Sequence, residues 1–271
     1  YGGCMTLPIQ DLENRLWATA DQLRANSELT SAEYKSPVLG LVFLRFVDQK
    51  FTAAKEQLEA QHGASSRRTI GKADYQAKGV LYLPDEAQYA HLLQLPEGAD
   101  LGRAVSDAME SIENENPELR GILPRDYSRV TNPILATILR TFSDIPMDLE
   151  GDVFGRIYEY FLGQFAAAGG KGAGEFYTPK SVVNLLVEMI EPYHGKIYDP
   201  CCGSGGMFVQ STQFVEKHQG SKKDISIYGQ EYISATYKLA KMNLAIRGIA
   251  ANLGEVSADT FFKDQHPDLK A

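Results

Sequence analysis

The sequence predicts an α/β protein in which a helical N-terminal domain precedes a domain built on a parallel sheet. Apolar residues recur at helical spacing through the first half of the chain, and no strand pattern is evident before about residue 195. Beyond that point, short apolar runs alternate with helical segments, which is typical of parallel strands joined by crossover helices. We therefore assign residues 5–150 to the helical domain and residues 151–271 to the second domain.

Three helices are predicted in the early part of the chain. Leu12, Leu16, Ala20 and Leu23 share one face of the first helix. For the second helix, we favour Ser36-Pro37 as N-cap and first helical position over the capping-box pattern of residues 30–33. Its segment 38–47 is apolar nearly all round, which indicates a buried helix. A short acidic helix is predicted over residues 107–115.

Two further helices complete the first domain and open the second. Asn132-Pro133 has the form of an N-cap and first helical position, and it opens a helix over residues 134–142. Asp152 caps an amphipathic helix that extends to Phe165. In the second domain we predict helices over 179–190, 207–217 and 234–247, and strands over 196–198, 225–228 and 251–256.

The composition is that of a globular protein. The 271 residues are 44% hydrophobic and 23% charged, which excludes a fibrous or wholly disordered chain. No apolar run approaches the roughly 20 residues of a membrane span, and the first residues lack the pattern of a signal peptide. Three cysteines, without metal-ligand spacing, fit a reducing compartment. We therefore expect a cytoplasmic protein with no membrane contact and no bound metal.

The net charge of −8 is unevenly distributed. Residues 1–150 carry 15 Lys/Arg against 22 Asp/Glu, and residues 151–271 carry 12 against 13. Lys and Arg that neutralise phosphates dominate the affinity of proteins for nucleic acid. This chain therefore does not bind nucleic acid through bulk charge, and any contact with DNA needs a local patch or a partner.

The segment with the clearest chemical signature is Asp199-Pro-Cys-Cys-Gly-Ser-Gly-Gly206. A glycine-rich turn between a strand and a helix lets a ligand approach the backbone closely. It lies at the carboxyl end of a strand, where open α/β sheets bind ligands. Glu231 ends the next strand, 26 residues after Gly205, and an acidic residue about 20 residues beyond the glycines typically accepts ribose hydroxyls. The pair predicts a ligand that contains adenosine.

The same segment discriminates between adenosine ligands. The dinucleotide fingerprint G-x-G-x-x-G is incomplete because Phe208 occupies the third glycine position. No P-loop pattern G-x-x-x-x-G-K-[ST] occurs in the chain. Asp199 beside the turn disfavours a diphosphate, but suits a cofactor with a cationic end, such as the ammonium and sulfonium groups of S-adenosylmethionine.

These residues resemble a known family. The segment 199–206 resembles the cofactor-binding motif of amino-group DNA methyltransferases, and Gly174-Glu-Phe-Tyr-Thr-Pro179 resembles the segment that precedes this motif in one permuted class. With the helical first half, the chain is similar to the modification subunit of type I restriction–modification systems, an adenine-specific DNA methyltransferase. The resemblance implies that residues 151–271 form the first half of a Rossmann-like, S-adenosylmethionine-dependent methyltransferase domain.

The resemblance also implies roles for individual residues. The methionine part of the cofactor would be lined by Glu175, Phe176, Tyr177, Thr178 and Pro179, and Lys180 is added to the cofactor-binding set. The turn beneath the cofactor would be formed by Asp199, Ser204, Gly205 and Gly206. Glu231 would hold the ribose, and Asp259 would contact the adenine.

One departure from the family pattern concerns catalysis. The family's catalytic motif, Asn/Asp-Pro-Pro-aromatic, does not occur in this sequence, and we expect it to lie beyond the end of the chain. No catalytic residue is therefore assigned, and the chain alone is expected to be inactive. The implied partners are DNA, a specificity subunit, a restriction subunit and a second modification subunit.

Two other functions remain open at this stage. The first alternative is a non-catalytic fragment that binds a cofactor or a partner. The second is a nicotinamide-dependent oxidoreductase built on a similar sheet. Single residues also have structural alternatives: Asp199 as the cap of an Asx turn, Glu231 as the cap of the following helix, and Phe176 and Tyr177 as core aromatics. The vicinal cysteines 201 and 202 are predicted to be buried fillers rather than nucleophiles.

Overall fold

A computed structural model describes residues 9–25, 30–62, 70–96, 98–146, 152–168 and 177–270. The chain divides into two compact units, residues 1–157 and 158–271. Within the described ranges, no helix combines the length and apolarity required to cross a lipid bilayer.

Helices build the first unit, as predicted. They are α1 (Ile9–Ala25), α2 (Ser31–His62), α3 (Lys72–Ala77), α4 (Tyr89–Leu93), α5 (Leu101–Glu115), α6 (Asn132–Ser143) and the start of α7 (Val153–Ala168). Every residue from Val38 to Val47 in α2 is buried, including Arg45. The prediction of a buried helix from its uniformly apolar sequence is therefore confirmed. No strand occurs among the described residues of this unit.

The predicted start of α2 at Ser36 is wrong. The helix begins at Ser31, and Pro37 lies inside it. The capping box that the prediction set aside is formed: the Thr30 N–H donates to Glu33 Oε2 at 3.0 Å, and the Glu33 N–H faces Thr30 Oγ1 at 3.4 Å. These contacts satisfy N–H groups of the first turn, so the helix starts early and accommodates the proline one turn later.

Two other predicted helix starts are displaced. The acidic helix begins at Leu101 rather than at residue 107, because the Asp100 side chain caps it by accepting from the Arg103 N–H at 3.0 Å. Helix α6 has Thr131, not Asn132, at its N-cap position. The Asn132 amide instead joins α6 to the start of α5, since its oxygen accepts from the Leu101 N–H at 3.2 Å.

The second unit holds a three-stranded parallel sheet, which confirms the predicted class. Its further elements are α8 (Lys180–Ile190), β1 (Gly195–Asp199), α9 (Gly206–Lys217), β2 (Ile225–Gly229), α10 (Ser234–Ile246) and β3 (Ala251–Asn252), with strand order β1-β2-β3. Asp199 pairs in register with Gly229. The carboxyl ends of β1 and β2 therefore lie side by side, which places the residues that follow them together.

The third strand is shorter than the predicted 251–256. It ends after Asn252 because the chain turns at Gly254, which has φ +77°. The Gly254 N–H donates to Asn252 Oδ1 at 3.0 Å and closes this turn. The apolar pattern of the segment continued past the turn, so alternation alone did not reveal the end of the strand.

Candidate functional site

The turn between β1 and α9 depends on two glycines. Gly203 and Gly205 have φ values of +56° and +82°, in a region of backbone conformation that residues with a Cβ atom rarely adopt. The Gly205 N–H donates to the Cys202 carbonyl at 2.9 Å, and Gly205 is the N-cap of α9. Ser204 between them is 5% exposed. The turn is thus a tight, partly buried backbone loop at the carboxyl end of β1.

Phe208 explains how this turn differs from a dinucleotide-binding turn. Its side chain is fully buried at the position of the third glycine, where the fingerprint brings helix and strand close together. A Cβ added to Gly229 on β2 would lie 2.8 Å from Phe208 Cζ. The phenyl ring therefore occupies the space that the missing Gly229 side chain leaves, and α9 packs on the sheet through this ring.

Asp199 is the last residue of β1 and lines a cavity beside the turn. Its Oδ1 accepts from the Cys201 N–H at 3.0 Å, which is the Asx turn considered as its structural role. Its backbone carbonyl accepts from the Gln230 N–H at 3.0 Å. Burial raises the pKa of the Asp199 carboxyl. A cation next to this carboxylate would stabilise its charged form and offset the cost of its burial.

Glu231 connects the turn to the following helix. The side chain is 7% exposed; Oε2 accepts from the Gly203 N–H at 3.0 Å, and Oε1 accepts from the Ile233 N–H at 2.8 Å. Ile233 is the N-cap of α10, so a capping role is realised. Each carboxylate oxygen offers about two acceptor positions, and one on each oxygen is used in these bonds. Acceptor capacity for two hydroxyl groups therefore remains.

A cavity of about 100 Å³ lies against the turn and brings six of the predicted residues together. The lining includes Tyr177, Thr178, Lys180, Asp199, Ser204 and Gly206. Pro179, Gly205, Glu231 and Asp259 are not part of this lining. Glu175 and Phe176 lie outside the described residues.

Asp259 belongs to the loop after β3, which is fastened to the other parts of the site. The Ala258 N–H donates to the Glu231 carbonyl at 2.9 Å, and Thr260 Oγ1 donates to the Pro200 carbonyl at 2.5 Å. The Asp259 carboxylate itself accepts from the Phe261 N–H at 2.9 Å. This loop is therefore held beside Glu231 and the turn, with Asp259 partly buried.

The two cysteines of the turn differ in exposure. Cys202 is buried, as predicted, whereas Cys201 is exposed, so the expected burial of Cys201 is wrong. Both cysteines line the cavity, and the Cys201 N–H donates to Asp199 Oδ1 in the Asx turn. Burial, with the neighbouring Asp199, raises the pKa of both thiols. Raised pKa values disfavour the thiolate, so neither cysteine is set up as a nucleophile.

Three polar residues that the motifs do not mark also line the cavity: Glu159 on α7, Gln210 on α9 and Asn243 on α10. Asn243 is 1% exposed. A signal for it was present in the sequence, because Asn243 and Arg247 stand four residues apart on the apolar face of the helix predicted over 234–247. Polar residues at core-facing positions require buried partners, and for Asn243 that partner is the turn.

The comparisons with known proteins agree with this arrangement. Residues 12–140 match the family described as the HsdM N-terminal domain, and residues 149–271 match the N-6 DNA Methylase family. A crystal structure of the type I restriction-modification system methyltransferase subunit from Streptococcus thermophilus has the same fold. It matches with a TM-score of 0.73 at 21% identity, over 97% of this chain and 61% of that chain. The chain therefore belongs to the class of proteins in which a helical domain precedes an N-6 DNA methylase domain.

Two curated relatives specify the family. The type I restriction enzyme MjaIX methylase subunit of Methanocaldococcus jannaschii is 35% identical over 94% of this chain and 48% of its own length. The HindI methylase subunit of Haemophilus influenzae is 44% identical over 65% of this chain and 43% of its own length. The chain belongs to the family of type I restriction enzyme methylase subunits. It spans about half the length of these curated relatives.

Proposed function

We propose that this chain binds S-adenosylmethionine at the turn after β1 and forms the cofactor-binding part of an adenine-specific DNA methyltransferase subunit. One observation carries the proposal. Two carboxylates, Asp199 and Glu231, stand at the carboxyl ends of adjacent parallel strands and both bond to the backbone of the same glycine-rich turn. An adenosine with a cationic tail fits the acceptor capacity of Glu231 and the partly buried charge of Asp199.

Glu231 would hold the ribose. Its two oxygens are fixed by the Gly203 and Ile233 N–H groups, and their remaining lone pairs accept the two ribose hydroxyls. Hydrogen bonds to a charged group each contribute about 1.5–3 kcal/mol. The loop with Asp259 is bonded to the Glu231 backbone through Ala258, and this position supports a contact between Asp259 and the adenine.

The cavity would receive the methionine end. Its volume of about 100 Å³ is below the ~300–1,000 Å³ of pockets that enclose a drug-sized ligand, so it suits one end of the cofactor. Asp199 would face the cationic groups there, with Ser204, Gly205 and Gly206 forming the turn beneath. The other residues proposed for this side are Glu175, Phe176, Tyr177, Thr178, Pro179 and Lys180.

The cofactor, when bound, would supply the methyl group. The residues of this chain would bind the cofactor and orient it. Transfer to the adenine amino group requires the Asn/Asp-Pro-Pro-aromatic motif, which the sequence does not contain. We therefore propose that the chain alone binds cofactor without transferring the methyl group. DNA, a specificity subunit, a restriction subunit and a second modification subunit are the proposed partners, in the cytoplasm. The acidic charge of residues 1–150 supports delegation of DNA targeting to a partner.

The first test is calorimetric titration of the 271-residue chain with S-adenosylmethionine, S-adenosylhomocysteine and NAD. We expect saturable one-to-one binding of the first two and none of NAD, because Phe208 fills the third glycine position. Incubation with DNA and cofactor carrying a tritiated methyl group is expected to leave the DNA unlabelled.

Each outcome of this titration decides between functions. Absence of S-adenosylmethionine binding by a chain with native circular dichroism and a cooperative unfolding transition would refute the proposal. Binding of NAD in its place would favour the oxidoreductase. Labelled DNA would show that transfer does not need the missing motif.

A second prediction concerns the contact between Tyr177 and α7. A Cβ added to Gly163 would lie 3.3 Å from the Tyr177 ring, so Gly163→Ala shifts this ring by a few tenths of an ångström. Alanine is favoured over glycine inside a helix by about 1 kcal/mol. We expect the melting temperature to stay equal or rise, while affinity for S-adenosylmethionine falls about two- to tenfold, equivalent to roughly 0.4–1.4 kcal/mol.

A double-mutant cycle is the control for Gly163→Ala. In a Tyr177→Ala background the added methyl group has no ring to displace, so the substitution should leave affinity unchanged there. An equal loss of affinity in both backgrounds would contradict a role for Tyr177 in the site.

A further inference from the structure

A network of buried polar side chains joins two helices, α7 and α10, to the glycine-rich turn. Asn243 Nδ2 on α10 donates to the Ser204 carbonyl at 2.8 Å. Arg247 directly follows the last residue of α10, and its Nη1 donates to Asn243 Oδ1. Arg247 Nη2 lies 3.3 Å from Glu159 Oε1 on α7. The Arg247 and Glu159 side chains are 4% and 15% exposed, so these polar contacts lie largely away from water.

The direction of the Asn243 amide is determined by its partners. A guanidinium has only donors, so the atom that faces Arg247 must be the amide oxygen. The amide nitrogen then points to the Ser204 carbonyl, and an amide flip would place two donors together on one side and two acceptors together on the other. Arg247 is in turn held by the Glu159 carboxylate. The arrangement therefore presents one oriented N–H donor to the turn.

The contact falls at the centre of the turn. Ser204 stands between Gly203 and Gly205, the two residues with left-handed backbone conformations. Such glycine-rich segments lose much conformational freedom on ordering, and a fixed donor on the middle carbonyl restricts both flanking residues. Asn243 and Glu159 also border the cavity itself.

We propose that Asn243 is a positioning residue for cofactor binding, oriented by Arg247 and Glu159, which holds the glycine-rich turn in its binding conformation before the cofactor arrives. This inference rests on the proposed function. Preorganisation of a binding loop raises affinity because less ordering is needed on binding. Asn243 acts through the Ser204 backbone, so its removal affects the conformation of the turn as well as ligand affinity.

The discriminating variant is Asn243→Asp. It keeps the size of the side chain and an acceptor for Arg247, but it replaces the N–H donor by an oxygen facing the Ser204 carbonyl. Met242→Ala is the matched control, because Met242 is equally buried on α10 at 1% exposure. Large-to-small core substitutions are destabilising, so this control lowers stability without removing the donor.

Two measurements are made on wild type, N243D and M242A at a temperature where all three are folded. Amide hydrogen exchange of the segment 200–207 is measured without ligand, and S-adenosylmethionine affinity is measured by calorimetry. For N243D we expect exchange at Gly205 to accelerate at least fivefold and affinity to fall at least tenfold. For M242A we expect both to stay within twofold of wild type.

The exchange measurement separates this inference from the proposed function, because it needs no ligand. If wild type fails to bind S-adenosylmethionine, the proposed function fails, and exchange still reports whether Asn243 orders the turn. If N243D binds like wild type, or if M242A loses as much affinity, the inference is overturned. If N243D does not fold, Arg247→Lys is the milder test. This variant keeps the Asn243 N–H donor but weakens the contact that orients the Asn243 amide. We then expect a three- to tenfold loss, and unchanged affinity would again overturn the inference.

Discussion

Replacing Arg45 with methionine is expected to destabilise the first unit by about 3–5 kcal/mol, the usual effect of removing one partner of a buried ion pair. Arg45 and Asp48 are each 7% exposed, and Arg45 Nη1 lies 3.0 Å from Asp48 Oδ2. The same guanidinium donates to the carbonyls of Phe142, Ser143 and Ile145 at 3.1, 2.9 and 3.2 Å. It therefore caps the end of α6 as well as neutralising Asp48.

The loss of stability should depend on pH in a definite direction. Burial raises the pKa of Asp48, and Arg45 opposes this rise. Without Arg45 the folded-state pKa rises further, whereas the unfolded-state pKa keeps its ordinary value. A raised carboxyl pKa contributes stability at low pH that is lost as pH increases through the window between the two values. The deficit of Arg45→Met relative to wild type should therefore be larger at pH 8 than at pH 5.

Two further variants isolate the buried charge. Adding Asp48→Asn to Arg45→Met removes the unpaired carboxylate but keeps an oxygen for the Tyr89 N–H, which donates to Asp48 Oδ1 at 2.9 Å. This double variant should recover part of the stability. Arg103→Met is the matched control, because its ion pair with Asp107 is 79% and 65% exposed, and such pairs contribute about 0–1 kcal/mol.

Unfolding of the first unit can be followed separately, because Trp17 in α1 is the one tryptophan of the sequence. Urea titrations monitored by its fluorescence give the free energy of unfolding of each variant. Equal losses for Arg45→Met and Arg103→Met, or a deficit independent of pH, would contradict the role assigned to the buried pair.

The sequence predicted the second unit better than the first for a physical reason. In that unit, glycine and proline mark the ends of short apolar strands, and each strand leads into a crossover helix, so the order of elements follows from local signals. In the first unit the predicted starts of α2, α5 and α6 were misplaced by one to six residues. Thr30–Glu33 and Ser36–Pro37 are both valid helix starts, and only the contacts actually formed decide between them.

The candidate site shows the same division. The segment 199–206 was predicted as a ligand site because it follows the carboxyl end of a parallel strand, and the resemblance to DNA methyltransferases implied roles for Asp199, Ser204 and Gly206, which all line the cavity. Glu159 and Asn243 also line the cavity but were not predicted. They lie on helices outside the motifs, and motif spacing does not show which face of such a helix points to the site. Burial of polar residues on an apolar helix face is the signal to read in such cases.

Replacing Glu231 with glutamine or alanine is expected to reduce affinity for S-adenosylmethionine tenfold or more, since either change removes a charged acceptor for ribose. The two variants should differ in stability. Alanine leaves the partly buried N–H groups of Gly203 and Ile233 without their acceptor, and loss of a hydrogen bond to a charged group costs about 1.5–3 kcal/mol each. Glutamine keeps one acceptor oxygen, so its cost should be about half as large.

The comparison between affinity and stability decides what Glu231 does. If it only caps α10 and supports the turn, glutamine should lower stability modestly and leave affinity near the wild-type value. If it holds ribose, glutamine should lose affinity nearly as severely as alanine, even where both variants are fully folded. Glu255→Ala removes the same charge from an exposed position and should change neither quantity. Titration calorimetry with thermal unfolding of the four proteins therefore distinguishes a structural carboxylate from a cofactor-binding one.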